Sequence, residues 1–244
     1  MKNYLYDTHC HLDLFNPIID IIKEIEKNQI YTIAVTNLPV LYTKLQAKII
    51  NNKFIRPALG FHPELLQEYS KYIPEMWRLL DDAKYIGEVG LDFKVAKDSK
   101  QLQISFFQEL IERCNKLGGK ILTVHSRMSA DEVVSTIGSN FNGKVIMHWY
   151  SGNKSILSKA LENGYYFSIN YEMLNSNSGK SIINSIPIER ILLETDAPFT
   201  RIDNRPFSPI DINKIVYNLS DLLKIDKDQL LTKLWENFMS ILIQ

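Results

Sequence analysis

Hydrophobic and polar positions along this chain of 244 residues switch between two periods. Short apolar runs rich in β-branched and aromatic residues fall at Tyr4–Thr8, Tyr31–Thr36, Ile55–Gly60, Tyr85–Val89, Lys120–His125, Lys144–His148, Tyr165–Ile169 and Arg190–Thr195, and they predict eight strands. Between them the apolar period lengthens to that of a helix. "PIIDIIKEIEKNQ" repeats Ile18, Ile21, Ile22 and Ile25 behind a proline, and "QISFFQELIERCNKLGG" sets Phe106, Leu110, Cys114 and Leu117 on one face before a Gly pair suited to a C-cap. Strands separated by helices need crossover connections and therefore pair in parallel. Eight such β–α units in about 250 residues predict a (β/α)8 TIM barrel. A doubly wound open sheet is the competing α/β arrangement, because periodicity does not show whether a parallel sheet closes.

Length and composition narrow the class. The chain is expected to form a single domain over residues 1–244, with 45% apolar and 23% charged residues, as in an ordinary soluble protein. Lys plus Arg equals Asp plus Glu, for a net charge of zero. A broad basic surface for nucleic acid is therefore not expected, although local phosphate binding through metal ions remains open. Two distant cysteines, Cys10 and Cys114, do not make a disulfide framework, and no stretch approaches the about 20 apolar residues of a membrane span. A cytoplasmic protein is expected, with no membrane partner.

Chemistry-bearing residues gather where the apolar runs end. The first ends "DTHCHLD", and alternation along an extended chain puts His9 and His11 on one side with Asp7 below them. The third ends at His62, the fourth carries Glu88 and is followed by Asp92, the fifth ends at His125 and Arg127, the sixth at His148, and the eighth at Glu194 and Asp196. In a barrel these ends form one ring. Four histidines, one glutamate and one aspartate exceed the three protein ligands usual for a single catalytic zinc, so two divalent ions are expected, with Glu88 as the bridging candidate. His9, His11, Glu88, His125, His148 and Asp196 are the candidate ligands, and Asp196 also suits proton transfer from the attacking water. Glu194 and Asp7 lie one layer deeper and are expected to orient ligand histidines. His62 either contacts substrate or caps the next helix, and Arg127 either forks onto a phosphate or is a solvated helix-opening arginine. Trp149 and Tyr150 are read first as packing, with base stacking as the alternative.

In this order, "DTHCHLD", "GFHP", "IGEVGLD", "VHSR", "HWYSG" and "ETDAP" resemble the TatD family of metal-dependent hydrolases, and "ENF" near Phe238 fits its tail. The resemblance implies a (β/α)8 barrel of the amidohydrolase superfamily and a metal-dependent deoxyribonuclease, here expected to be a 3′–5′ exonuclease on single-stranded DNA. It further implies that His9, His11, Glu88 and Asp196 hold one ion, that Glu88, His125 and His148 hold the other, and that His62 and Arg127 lie near the substrate phosphate. Magnesium, manganese and zinc all suit the ligand types. Two departures stand out: "HWYSG" where the family commonly has HCF followed by a small residue and glycine, and "FTRIDNRPFSP" in place of a longer loop. Arg201 or Arg205 could substitute for the contacts of that loop. With "YYFSINYEML", these features resemble the TatD-like branch of Qat anti-phage defence systems, which implies a QueC-like protein and an ATPase as partners.

Two other functions fit the same residues. One is an amidohydrolase-type C–N or C–O hydrolase, such as a deacylase, because the same ions activate water towards a carbonyl. The other is a scaffold with weak catalysis that keeps the ligands.

Overall fold

The computed structural model describes residues 4–242. The first elements are β1 (Tyr6–Cys10), α1 (Ile18–Asn28), β2 (Tyr31–Val35), α2 (Pro39–Lys48), β3 (Ile55–Ala58), α3 (Ile73–Leu80) and β4 (Tyr85–Asp92). They are followed by α4 (Lys100–Leu117), β5 (Lys120–Arg127), α5 (Ala130–Ile137), β6 (Gly143–His148), α6 (Lys154–Glu162) and β7 (Tyr166–Ile169). The chain continues with α7 (Tyr171–Asn175), α8 (Asn177–Ile183), β8 (Ile191–Leu193), β9 (Arg201–Ile202), β10 (Arg205–Pro206), α9 (Ile212–Leu223) and α10 (Lys227–Leu242). All eight expected strands are present as β1 to β8. The first is displaced by two residues, so His9 lies inside β1 rather than beyond it.

Contacts divide the chain into two compact units, one of Met1–Ala34, Leu45–Arg56 and Phe167–Gln244, the other of Val35–Lys44 and Pro57–Tyr166. In the first, β1 pairs with β2 in parallel, Tyr6 opposite Tyr31, with a register shift between Asp7 and Cys10. Strand β7 pairs with β8 in parallel, from Phe167 opposite Ile191 to Ile169 opposite Leu193. The end of β1 is tied to the end of β8. Thr8 Oγ1 donates to Leu193 O at 2.9 Å, Asp196 N to His9 O at 2.9 Å and His11 N to Ala197 O at 2.9 Å. Helix α1 buries Ile21, Ile22 and Ile25 of the stripe expected from its 3.6-residue period, while Ile18 in its first turn is half-buried. Helix α10 is anchored by Asn237, whose amide donates to Ile188 O at 2.6 Å and Ile191 O at 2.9 Å, and by Phe238 stacked on Tyr6 with centroids 4.3 Å apart.

In the second unit β4 pairs with β5 and β5 with β6, all in parallel. The segment after β2 joins the same ladder, Thr36 N donating to Gly87 O and Glu88 N to Thr36 O, each at 3.1 Å. This approach demands glycine at position 60, where an added Cβ would lie 1.7 Å from Thr36 O and 2.5 Å from Glu88 N. Helix α4 buries Phe106, Leu110 and Cys114 as expected, together with Gln103, Phe107 and Ile111. Leu117 is instead 44% exposed, because the helix ends there and Gly118 turns the chain away at φ +69°. Lys120 at the start of β5 is buried, its ammonium donating to the carbonyls of Leu80, Asp81 and Ala83 at 2.8–2.9 Å. Three such acceptors offset a burial that lowers the pKa of the group.

Candidate metal centre

The first unit assembles one set of ligand atoms. His9 Nε2 lies 3.3 Å from His11 Nε2, and Asp196 Oδ1 lies 3.8 Å and 3.6 Å from the same two nitrogens. All three residues are buried. The two backbone bonds between the ends of β1 and β8, with the bond from Thr8 Oγ1, place them, and Asp196 sits in the left-handed region at φ +50°. An L-residue adopts that conformation at a cost, and its surroundings must hold it there. Phe199 N at 2.9 Å and Thr200 N at 3.3 Å both donate to Asp196 O, closing the turn.

Asp7 does not act as the sequence suggested. Its Oδ1 accepts from His9 N at 3.1 Å and Thr195 N at 2.9 Å, and its Oδ2 accepts from Thr195 Oγ1 at 2.5 Å. It fixes the backbone beneath the site rather than orienting an imidazole. Full burial raises its pKa to about 7 despite these donors. Glu194, fully buried, accepts from Ser168 Oγ and from Asn170 Nδ2, the latter at 2.9 Å.

The second unit assembles another set around Glu88. Its Oε1 lies 2.7 Å from His125 Nδ1, 3.5 Å from His62 Nε2 and 3.7 Å from His148 Nε2. The other nitrogen of His125, Nε2, donates to Asp92 Oδ2 at 2.9 Å. Burial would lower the pKa of His125, but Asp92 and Glu88 more than reverse this and lift it to about 9. The reciprocal effect helps hold Asp92 low: its burial opposes ionisation, and the bond and charge of His125 together with the Lys94 and Val95 backbone donors outweigh it. Asp92 Oδ1 accepts from Lys94 N at 2.9 Å and Val95 N at 3.3 Å, so the carboxylate is locked by its own turn. His62 caps the turn that follows it, one of the two sequence readings. Its Nδ1 caps the following turn through Glu64 N at 3.3 Å while its Nε2 faces Glu88.

The donor sets fit divalent cations. Ligands about 2.1 Å from a tetrahedral ion lie about 3.4 Å apart, close to the 3.3, 3.6 and 3.8 Å separations of His9, His11 and Asp196. Around Glu88 the shortest separation, to His125, is that of a hydrogen bond, so a proton occupies the line a cation would take. Imidazole and carboxylate donors together suit zinc, manganese or magnesium. Asp92 then completes a carboxylate–histidine arrangement that fixes the tautomer of a ligand histidine.

At the periphery, Arg127 is 44% exposed and lies 3.9 Å from Asp92 Oδ2. Trp149 is half-buried at φ +37°, its ring edge-on to His148 at 6.3 Å. Tyr150 is packing: it is buried and its hydroxyl donates to Asn153 O at 2.8 Å. The short loop after Pro198 forms the hairpin β9–β10, which the sequence reading did not find because each strand spans two residues. Arg205 is forked onto Asp211 at 2.7 Å through both nitrogens, and the guanidinium of Arg201 donates to Asn204 O at 2.5 Å. Both arginines serve the hairpin.

The family model described as TatD related DNase matches residues 6–242, nearly the whole sequence. The chain belongs to the TatD family. It is a metal-dependent hydrolase of that family. Among curated relatives it is 27% identical over 214 residues to the deoxyribonuclease TATDN3 of Homo sapiens, covering 80% of this chain and 78% of that protein. It is also 27% identical over 208 residues to the metal-dependent hydrolase YabD of Bacillus subtilis, covering 80% of each. Among solved structures, YJJV, a TatD homologue from Escherichia coli K12, superposes with a TM-score of 0.88 at 20% identity over 99% of this chain and 98% of that one. A TatD family hydrolase from Entamoeba histolytica gives 0.83 at 21% identity, covering 99% and 98%. These likenesses confirm the α/β fold class expected from the strand and helix order, that of the (β/α)8 TIM barrel of amidohydrolase type.

Proposed function

We propose that this TatD family hydrolase is a deoxyribonuclease, a 3′–5′ exonuclease on single-stranded DNA that works with two divalent ions. The observation carrying this reading is the convergence of His9, His11 and Asp196 within 3.3–3.8 Å in one set, and of three histidines on Glu88 Oε1 in the other. That the two sets serve one reaction, with residues 1–244 acting as one hydrolase domain, follows the family pattern. Bound divalent ions supply Lewis-acid polarisation of a phosphoryl oxygen and lower the pKa of water to about 7. The chain supplies the rest. Asp196 directs Oδ1 at both histidines, which leaves Oδ2 to take the proton of the attacking water. Glu88 orients His125 and His148, and Asp92 holds His125 from the opposite side. Arg127, exposed and 3.9 Å from Asp92, forks onto a phosphate oxygen, and His62, its ring 4.9 Å from that of His125, contacts the same phosphate.

The compact hairpin after Pro198 supports the narrower reading, a cytoplasmic nuclease of the Qat defence branch acting with a QueC-like protein and an ATPase. Among the described residues no helix is long and apolar enough to cross a membrane. Digestion of strands labelled at the 5′ or the 3′ end, beside RNA, amide and ester substrates, tests the reading. Immediate release of the 3′ label supports it. Turnover of the amide or ester alone replaces it with the carbonyl hydrolase.

A further inference from the structure

Phe199 is 58% exposed, although its ring stands edge-on to the ligand histidine His11 with centroids 5.0 Å apart and an interplanar angle of 83°. A single exposed apolar side chain is ordinary in itself. This one is singled out by how it is held. Its backbone N–H is bonded to the carbonyl of Asp196, the next residue donates to that same carbonyl, and Thr200 Oγ1 donates to Thr195 O at 2.5 Å. The turn that places the carboxylate therefore also places the ring. One part of the ring contacts His11, and the rest is open to solvent beside the His9, His11 and Asp196 set. No arginine of the hairpin that follows competes for the position, because Arg205 and Arg201 are bound to Asp211 and to Asn204 O.

We propose that Phe199 is a specificity residue, a stacking platform for the nucleobase next to the scissile phosphate. The proposal rests on the deoxyribonuclease reading above and deepens it. Stacking on an aromatic ring tolerates every base but requires one, so a strand lacking a base at that nucleotide binds and turns over less well.

The test is kcat/KM on single-stranded oligonucleotides carrying one abasic residue at each position flanking the cleaved bond. Wild type should lose about 5- to 150-fold at one of these positions. Phe199→Ala should lose the same factor on the intact strand and be indifferent to the abasic residue, while Phe199→Trp keeps the discrimination. Manganese uptake by Phe199→Ala, followed by calorimetry, should equal that of wild type. Discrimination that persists in Phe199→Ala overturns the proposal, as does wild type that cuts every abasic strand like the intact one, or reduced manganese uptake, which would mean the ring only supports His11. The first two outcomes leave the nuclease reading standing. Wild type that neither cuts an intact strand nor binds it in a fluorescence titration overturns both.

Discussion

His125 donates its Nε2 proton to Asp92 at 2.9 Å, and Asp92 is fixed for this by two backbone donors of its own turn. The pair orients the ring whose other nitrogen faces Glu88 at 2.7 Å. In Asp92→Asn the amide oxygen can still accept from Lys94 N and Val95 N, so the turn survives. The side that received the His125 proton becomes a donor. Affinity for manganese should fall about 10- to 100-fold at one site, with little change in melting temperature. Calorimetric titration beside a thermal melt checks this, and unchanged affinity would show that Asp92 serves the turn alone.

Metal uptake should release a proton. With its pKa lifted to about 9, His125 is protonated at neutral pH, and its Nδ1 proton lies where a cation must bind. The apparent affinity of that site therefore rises with pH up to about 9 and levels off above it. Titrations at pH 7 in buffers of different ionisation enthalpy should reveal about one proton released. Identical heats in all buffers would place the proton elsewhere.

Asp7 links stability of the metal-free protein to pH. Its pKa is about 7 in the fold against 3.8 as a free side chain, so the fold binds the proton more tightly. Its contribution is present in full below pH 3.8 and is lost as pH rises through about 7. Asp7→Asn keeps an acceptor for His9 N and Thr195 N and cannot ionise. Urea denaturation of this variant should show a flatter stability profile between pH 4 and pH 7 than wild type. Parallel profiles would contradict the assignment.

Gly60→Ala should cost more than about 3 kcal/mol, beyond the common range for overpacking, because its Cβ would collide with Thr36 O at 1.7 Å. The colliding atoms are backbone and belong to the ladder that carries Glu88, so the variant should lose metal binding along with stability. Denaturant midpoints and metal content measure the two together.

The fold was legible in the sequence because eight apolar runs and the helices between them repeat one unit, and the candidate ligands stood out because they lie where those runs end. His9 and His11 are one residue apart on a strand, and that period alone puts both on one side. The sequence assigns Asp92 no role, since whether a carboxylate four residues beyond Glu88 turns back to a histidine depends on the register of β4 against β5, in which Asp92 falls opposite Arg127 and Gly90 opposite His125. Phe199 carried no periodic signal at all. Its ring is placed by backbone bonds to Asp196 within a turn, which exist only in the folded chain. Asp7 was misread for a related reason: nothing in "DTHCHLD" shows that Thr195 lies across from it.

The most direct measurement is cleavage of end-labelled single-stranded DNA by the purified protein with magnesium, manganese or EDTA, beside Asp196→Asn. Metal-dependent cleavage that stops in EDTA and falls about 100- to 10,000-fold in Asp196→Asn is the expected result, matching loss of a positioned proton acceptor. Cleavage that persists in EDTA, or that Asp196→Asn retains at the wild-type rate, would contradict the account.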